Sequence, residues 1–395
     1  MQQCGSQEHE ASAKLRGEID AELAILYERV RILHAKRNTI SPLYRLPSEI
    51  FIRIFIEYQY LVIDDQNLRT RKAYKVWIRI LQLSQYLRRI GLESPELWSN
   101  ITRTDRRWVS KFIERSRSND LRVGMFVYEE ASVDLFKQVM ANSDRISTLS
   151  ISTSLRCWED VIPALKSPAP RLIALKLYLH GASIPVDLFP ESFSKLKNLG
   201  VTSCNVDLKH PLFTQTNLTA LSITSPTSAI RTTDILHLLE RLPALRSLWL
   251  SHALQVAGDG RYMVSLPHLT SLDLRHPDLD TNKNFLTSIR LPENVDISLY
   301  SNKIERGTQN LIADVMDSVK LALQKTSLVF RDLTVNRIDC ESGVSMTCTK
   351  QPRCQSGVRS SPFVDVDLRF TKAGHGPHAE RRMAHQITPV AARST

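Results

Sequence analysis

A spaced pattern of leucines and other apolar residues, L-x-x-L-x-L, recurs through the middle of the chain. Six copies are present, and their first positions lie 26, 24, 22, 27 and 24 residues apart. These first positions are Ile146, Leu172, Leu196, Leu218, Leu245 and Leu269. Because side chains alternate between the two faces of a strand, the apolar fourth and sixth positions of each copy predict a strand with one buried face.

The period of these copies lies within the roughly 20 to 29 residues of leucine-rich repeats. Helix-forming segments such as TTDILHLLERL (232–242) lie between the copies. A strand and a return helix in each copy, stacked on the next copy, predict a curved solenoid over residues 103–335. The repeats are irregular, and weaker copies flank the six near Leu121 and Ile297.

A different apolar period marks the region before the repeats. Its apolar residues are spaced by 4, 4, 3, 4 and 3 positions, at Leu15, Ile19, Leu23, Leu26, Val30 and Leu33. This spacing predicts an amphipathic helix over residues 15–38 with the a and d positions of a coiled coil. Such a helix either packs on its own domain or associates with another copy. Residues 1–14 lack the pattern and are predicted to be disordered.

Residues 42–102 predict a small unit built of helices. Pro47 suits the first turn of a helix, and the residues at positions 50, 51, 54 and 55 fall on one helix face. A second helix is predicted over residues 76–92, ended by Ser94-Pro95. A unit of this size cannot cover all of its apolar faces, so a remaining face is available to a partner.

After residue 336 the chain becomes rich in Ser, Gly, Pro and Arg and poor in apolar clusters. Such a composition buries too little apolar surface to offset the entropy of ordering, so residues 336–395 are predicted to be a disordered tail. The predicted fold class is therefore α/β: an N-terminal helix, a small all-α domain, an irregular leucine-rich-repeat solenoid and a disordered C-terminal tail.

The chain has 395 residues, a net charge of +11 and six cysteines. Its basic residues form only short runs without interleaved aromatic residues, which favours solvated faces over a nucleic-acid site. There is no apolar stretch long enough to span a membrane, no apolar leader and no CxxC pair. We therefore expect an intracellular protein, cytoplasmic or nuclear or both, in a reducing compartment.

The tail contains three cysteines and three histidines: Cys340, Cys348, Cys354, His375, His378 and His385. The cysteine spacings of 8 and 6 do not match those of zinc sites, so no metal or other cofactor is predicted. No phosphate-binding glycine loop, nucleophile elbow or zinc-protease motif is present. The sequence therefore predicts a protein that is not an enzyme.

The helical unit resembles an F-box, the module that binds the Skp-type adaptor of cullin-RING ubiquitin ligases. The resemblance rests on Pro42-Leu43, Leu46-Pro47, Glu49-Ile50 and Ile54-Phe55, with support from Trp77-Ile78-Arg79-Ile80 and Pro95-Glu96-Leu97-Trp98. The whole layout is similar to a fungal, basidiomycete-type group with an N-terminal helix, an F-box-like domain and degenerate leucine-rich repeats. One departure is Leu87, which stands where the family usually has Trp; a smaller side chain weakens the packing of the module.

The resemblance implies an adaptor-binding surface, and the repeats imply a target-binding one. The predicted adaptor-binding residues are Leu43, Leu46, Pro47, Ile50, Ile54 and Phe55, of which Ile50 is expected to turn inward with Phe51. The predicted target-binding residues are the strand positions between the leucines, on the concave face of the solenoid: Lys176, Tyr178, Trp249, Asp273 and Arg275, together with Ser222, Thr224 and Ser251. Trp249 is either an exposed anchor for a partner or a residue that packs on its stacked neighbour.

The expected function is that of a substrate-recognition subunit of a cullin-RING ubiquitin ligase, which holds a target protein for ubiquitin transfer by other subunits. Two alternatives remain open at this point. One is a protein-binding scaffold of the same layout without a role in a ligase. The other is a basic protein associated with nucleic acid, for which affinity would fall steeply with salt.

Overall fold

A computed structural model of the chain describes residues 2–64, 78–102, 106–189, 193–255, 262–292, 295–301, 317–323, 332–336 and 365–370. The chain divides into two compact units, Met1–Asn119 and Asp120–Thr395.

The first unit is mostly helical. Its elements are α1 (Gln2–Ile40), a 3-10 turn (Pro42–Arg45), α2 (Ser48–Asp64), a 3-10 turn (Arg79–Gln82), α3 (Gln85–Glu93), a 3-10 turn (Pro95–Trp98), β1 (Asn100–Thr102) and α4 (Arg106–Arg115). Helix α1 begins at Gln2 and so includes residues 2–14, for which the sequence predicts disorder. That segment is rich in Gln, Glu and Ala and has no Pro, so it can extend an existing helix at little cost.

The predicted helix over residues 76–92 is interrupted. Residues 65–77, including Trp77, lie outside the described part of the chain. The remainder consists of a 3-10 turn and α3, separated at Ser84. The Ser84 hydroxyl accepts a hydrogen bond from the Leu87 backbone N–H at 3.2 Å. A serine N-cap satisfies one of the free N–H groups of a helix start, so α3 begins as a new helix at this position.

Aromatic side chains from three elements form the core of the first unit. Phe51, Phe55, Trp98 and Phe112 are all at most 4% exposed. The rings of Trp98 and Phe112 meet edge to face, with 5.1 Å between their centroids. Leu87 is also buried. The core therefore includes the leucine that departs from the F-box pattern, and Trp98 supplies a large buried indole to the same unit.

Gly91 leaves space that Leu81 occupies. A Cβ at position 91 would lie 2.1 Å from Leu81 Cδ2, and the Leu81 side chain is buried. We expect Gly91→Ala to destabilise the unit by about 1–3 kcal/mol, the usual cost of overpacking a core. Hydrogen exchange of the protected amides in α3, followed by mass spectrometry, measures this change within the first unit. The matched control is Gly17→Ala in α1, where a Cβ would meet nothing within 4 Å and where alanine should favour the helix; equal effects at both glycines would contradict the expected clash.

The second unit is built around one large sheet. Its main elements are β2 (Leu121–Val127), α5 (Glu130–Met140), β3 (Ile146–Thr153), α6 (Leu155–Leu165), β4 (Ala174–Tyr178), β5 (Asn198–Thr202), β6 (Ala220–Thr224), β7 (Ile230–Arg231), α7 (Thr232–Glu240), β8 (Ser247–Ser251), β9 (Leu254–Gln255), β10 (Val264–Ser265), β11 (Ser271–Arg275), α8 (Leu279–Thr287), β12 (Ile289–Arg290), β13 (Asp296–Ser301), β14 (Asp332–Asn336) and β15 (Asp365–Phe370). Two small parallel pairs, β7 with β9 and β10 with β12, lie outside this sheet.

Parallel strands are paired in the order β2, β3, β4, β5, β6, β8, β11 and β13, so the strand order follows the chain. Leucines at the same register position lie side by side across these strands; Leu175, Leu199, Leu221, Leu248 and Leu272 form one such row. All five leucines are at most 2% exposed. Each copy of the L-x-x-L-x-L motif therefore contributes one strand and one part of the buried face.

The sheet continues into the region for which a disordered tail is predicted. Strand β15 pairs antiparallel with β13 on one side and with β14 on the other. The sequence VDVDLRF alternates apolar and polar residues, as a strand with two different faces does. The pairing also occupies an edge of the sheet that would otherwise present free backbone groups. The other residues of the predicted tail lie outside the described part of the chain.

The predicted fold class is wrong as a whole. It combined a small all-α F-box-like domain, an irregular leucine-rich-repeat solenoid and a disordered tail, whereas the structure is α/β with a large central parallel sheet flanked by helices. The first unit contains strand β1, and the sheet of the second includes β14 and β15. The connections also differ from the predicted return helix in each repeat. Short 3-10 turns precede β5 and β6, at Phe193–Lys195 and Pro211–Phe213. The leucine spacing marks single strands but does not encode what connects or extends them.

Candidate functional site

An exposed apolar surface lies on the 3-10 turn Pro42–Arg45 and the first half of α2. We call it the docking edge and define it by Leu43, Leu46, Pro47, Ile50 and Ile54. Leu43, Ile50 and Ile54 are 44–47% exposed, Pro47 is exposed, and Leu46 is half-buried. The Pro47 carbonyl accepts hydrogen bonds from the Ile50 and Phe51 N–H groups, at 3.1 and 3.4 Å. These bonds form the first turn of α2, which follows Pro47 in the chain.

An aromatic cluster holds the docking edge in place. The Phe51 ring contacts Tyr86 of α3 edge to face, with centroids 5.9 Å apart, and lies 6.2 Å from the Phe55 ring. Tyr44, in the turn before α2, lies 5.3 Å from the same Tyr86 ring. The inward positions 51, 55 and 59 are spaced by one helical turn, and Gln59 is buried with its side-chain N–H donating to the Leu97 carbonyl at 2.8 Å.

Two of the predicted adaptor-binding residues differ from expectation. Ile50 is exposed, whereas the sequence predicts that it turns inward. Phe55 is 4% exposed and belongs to the core, so it is not available to a partner. The reason is the helical period: once Phe51 sets the inward direction, Phe55 follows it one turn later and the two isoleucines fall on the adjoining face.

The predicted target-binding residues lie on one face of the large sheet, opposite the buried leucines. This polar face comprises Lys176, Tyr178, Ser222, Thr224, Trp249, Ser251, Asp273 and Arg275. The register aligns them in two rows, with Lys176, Ser222, Trp249 and Asp273 in one and Tyr178, Thr224, Ser251 and Arg275 in the other. Gly200 separates Lys176 from Ser222, and a Cβ there would come within 3.3 Å of Lys176 Cγ. The glycine therefore gives the lysine side chain room to lie across the face.

A three-residue cluster occupies one end of the polar face. The Arg275 guanidinium lies 4.2 Å from the centre of the Trp249 ring, a cation–π distance. It also donates two hydrogen bonds to the Asp273 carboxylate, at 2.9 and 3.2 Å. Trp249 is half-buried. The indole therefore packs against a residue of the neighbouring strand and remains partly exposed, and its role as an anchor for a partner stays a prediction.

Two buried polar atoms on this face have no hydrogen-bond partner among the described residues: Trp249 Nε1 and Thr224 Oγ1. A buried polar group without a hydrogen bond costs stability, and because both atoms are shielded from solvent they are not contact points for a bound chain. Burial also lowers the pKa of Lys176 and raises the pKa of Tyr178. For both groups burial disfavours the charged form, as expected where side chains crowd a face with little water.

The carboxyl ends of the strands carry polar residues that sequence reasoning missed. Tyr128 lies just after β2, and its hydroxyl is 2.5 Å from Ser152 Oγ and 3.3 Å from His180 Nε2. Further along, Ser251 Oγ is 3.1 Å from His252 Nδ1. Burial, with His276 and Arg275 nearby, lowers the pKa of His252 and so favours its neutral ring. The carboxyl edge of a parallel sheet is a common place for ligands, so this edge extends the polar face.

Repeated turns explain why these residues gather at the edge. His180, Ser203, Ser225 and His252 each follow a strand closely and have φ between 42° and 50°. The N–H groups of Ser203, Ser225 and His252 donate to the carbonyls of the next strand at 2.7–2.9 Å. The left-handed backbone at these residues changes the direction of the chain and still allows the hydrogen bond to the next strand. The signal in the sequence is a short polar residue or histidine directly after each apolar run, which the leucine spacing alone does not reveal.

Among the residues that the structure describes, no group of three or more His, Cys, Asp or Glu side chains is placed to hold a metal ion. The cysteines and histidines of the tail lie outside those residues. In the same described ranges, no helix has the length and apolar content needed to cross a membrane.

Comparison with known proteins provides no family for the chain. No protein-family model matches it, and a search of curated proteins finds no match. The F-box resemblance therefore rests on residues 42–55, 77–80 and 95–98.

Proposed function

We propose that this protein is a non-enzymatic substrate receptor of a cullin-RING ubiquitin ligase. The Skp-type adaptor binds the docking edge, and a target protein binds the polar face of the sheet. Other subunits transfer ubiquitin, and the receptor acts by holding lysines of the target near the ligase at a high effective concentration.

One observation carries the proposal: a row of aliphatic side chains is left exposed on a helix whose other side is locked into an aromatic core. Leu43 in the turn before α2 and Ile50 and Ile54 on α2 remain almost half exposed, although Phe51 and Phe55 of α2 are buried. A helix that presents anchors one turn apart fits an apolar groove between partner helices. The positions are those at which the F-box resemblance places adaptor contacts, which supports a Skp-type partner.

The polar face supports the second half of the proposal. It offers a partly exposed indole and a bidentate Arg–carboxylate pair. Tryptophan and arginine are the side chains most often found at interface hot spots. An aliphatic side chain of a bound peptide would cover the exposed part of the Trp249 ring, so a protein target fits this face.

The competing interpretation is a basic protein that binds nucleic acid, and salt distinguishes the two. We expect purified Skp-type adaptor to bind the full chain with an affinity that changes less than about threefold when salt rises from about 50 to 200 mM. Apolar anchors carry this contact, whereas phosphate contacts lose about 10³–10⁵ in affinity over the same range. Titration calorimetry at both salt concentrations measures the affinity for the adaptor. Fluorescence anisotropy with a labelled duplex measures the affinity for nucleic acid at the same two concentrations. Absence of adaptor binding, with salt-sensitive binding of the duplex, would falsify the proposal.

A further inference from the structure

Helix α1 carries an apolar stripe that the rest of the described chain leaves uncovered. Residues 12–37 are all exposed. The residues of the stripe are 40–57% exposed: Ile19, Leu23, Leu26, Val30 and Leu33. Helices in proteins owe most of their stability to packing of an apolar face, so a helix of 39 residues with this face in water requires a partner.

The side of α1 that faces its own unit is a different one. A cleft of about 790 Å³ lies beside the helix, and the α1 residues that line it include Arg31, His34 and Ala35 but none of the five stripe residues. In heptad terms Ile19, Leu26 and Leu33 are d positions and Leu23 and Val30 are a positions. The α1 residues that line the cleft fall at b, c, e and f. The coiled-coil face is therefore free while the opposite side adjoins the first unit.

The ends of the stripe favour an antiparallel partner. The next a positions on either side are Arg16 and Arg37. In a parallel pair of identical helices each a residue meets its own copy, so two layers of like charge would close the seam. In an antiparallel pair a positions meet d positions. With Leu23 packed on Leu26 of the other copy, Arg16 meets Leu33 and no arginine meets another.

The charges beside the seam agree with this arrangement. In the parallel pairing Glu22 at position g would face Tyr27, and Arg29 would face His34, which gives no pair of opposite full charges. In the antiparallel pairing, g residues of one helix face g residues of the other. In the register that packs Leu23 on Leu26, Glu22 of each helix lies beside Arg29 of the other, so the dimer has two such pairs. A shift by one heptad would instead bring the two Arg29 side chains together.

We propose that α1 forms an antiparallel coiled coil with α1 of a second copy of this chain, with Glu22 of each helix paired to Arg29 of the other. The dimer joins two chains through their N-terminal helices and does not use the docking edge or the polar face. The inference is independent of the proposed ligase function.

The test is sedimentation equilibrium of the full chain with charge-reversal variants. We expect the wild type to show a monomer–dimer equilibrium. Glu22→Arg should raise the dissociation constant of the dimer roughly tenfold, because two attractive pairs become repulsive. Glu22→Arg combined with Arg29→Glu should restore it to within about threefold, since the pairs reform with their signs exchanged. Glu18→Arg, at an outer c position, is the matched control and should dimerise like the wild type.

Each other outcome contradicts the proposal. A monomeric wild type, or a trimer, would rule out the dimer. A dimer insensitive to Glu22→Arg would rule out the antiparallel pairing, and failure of the double exchange to rescue would rule out the register. Circular dichroism of every variant verifies that α1 remains helical. Adaptor binding measured on the same samples separates this result from the proposed function, because loss of the dimer should leave the docking edge intact.

Discussion

Placing two carboxylates on the docking edge should abolish adaptor binding while leaving the protein folded. In Ile50→Glu/Ile54→Glu, both substituted side chains are nearly half exposed, and glutamate is a good helix former. The core residues Phe51 and Phe55 are unchanged. Since anchors of this kind typically contribute about 2 kcal/mol or more each, we expect the dissociation constant for Skp-type adaptor to rise at least about a hundredfold. Titration calorimetry with the full chain measures it.

A control with the same chemistry lies in the second unit. Val186 is 72% exposed, so Val186→Glu also exchanges a surface aliphatic residue for a carboxylate. It should bind the adaptor like the wild type. If both variants lost affinity equally, the effect would come from added negative charge rather than from the edge. If neither did, the adaptor would dock elsewhere or the resemblance to an F-box would be misleading.

The strands of the second unit were predictable because each has a one-sided apolar period. In β6 the alternate positions 221 and 223 are apolar, and in β8 so are positions 248 and 250. The four side chains are buried and lie side by side across the two strands. Period-two patterns report which face of a strand is buried, and they do so locally. The polar face follows directly, since it consists of the positions between the leucines. Its residues were therefore named from the sequence in the correct alternation.

The extent of the sheet was not predictable in the same way. Strand β15 is separated from β13 by more than sixty residues of chain, and its pairing depends on a long-range contact that no local period encodes. A segment poor in apolar clusters predicts disorder, yet an existing sheet edge can order a short alternating strand. The fold class failed at this point because it was inferred from segments one at a time.

The cluster around Trp249 also needed three-dimensional information. Arg275 and Asp273 lie on the next strand, so their contacts with the indole depend on the register between strands. The same holds for the carboxyl edge, where Tyr128 meets His180 across 52 positions of sequence. Residues of this kind are joined by the stacking of strands, whereas a sequence pattern shows only that a polar residue follows each apolar run.

The largest effect on stability should come from Trp98→Ala in the first unit. The Trp98 side chain is 2% exposed, its ring packs on Phe112, and the Arg115 guanidinium lies 5.1 Å from the ring centre. Its Nε1 donates to the Gly91 carbonyl at 2.8 Å. Removing a buried tryptophan leaves a cavity and costs about 3–5 kcal/mol. The Gly91 carbonyl would also lose its indole partner.

Hydrogen exchange followed by mass spectrometry can assign this loss to one unit, which a single unfolding curve of a two-unit chain cannot do. A destabilisation of about 3–5 kcal/mol should speed the exchange of protected amides in α3 and α4 by roughly 10² to 10³·⁵, at about 1.4 kcal/mol per factor of ten. Peptides from β4 to β6 serve as the internal reference and should exchange as in the wild type. Trp98→Phe keeps the ring contact with Phe112 but not the hydrogen bond, so its exchange rates should fall between those of the wild type and those of Trp98→Ala.

The docking edge is held by the same core. Adaptor binding should therefore weaken in the variants whose α3 amides lose protection. Full binding by a variant with unprotected α3 amides would mean that the edge does not depend on this core.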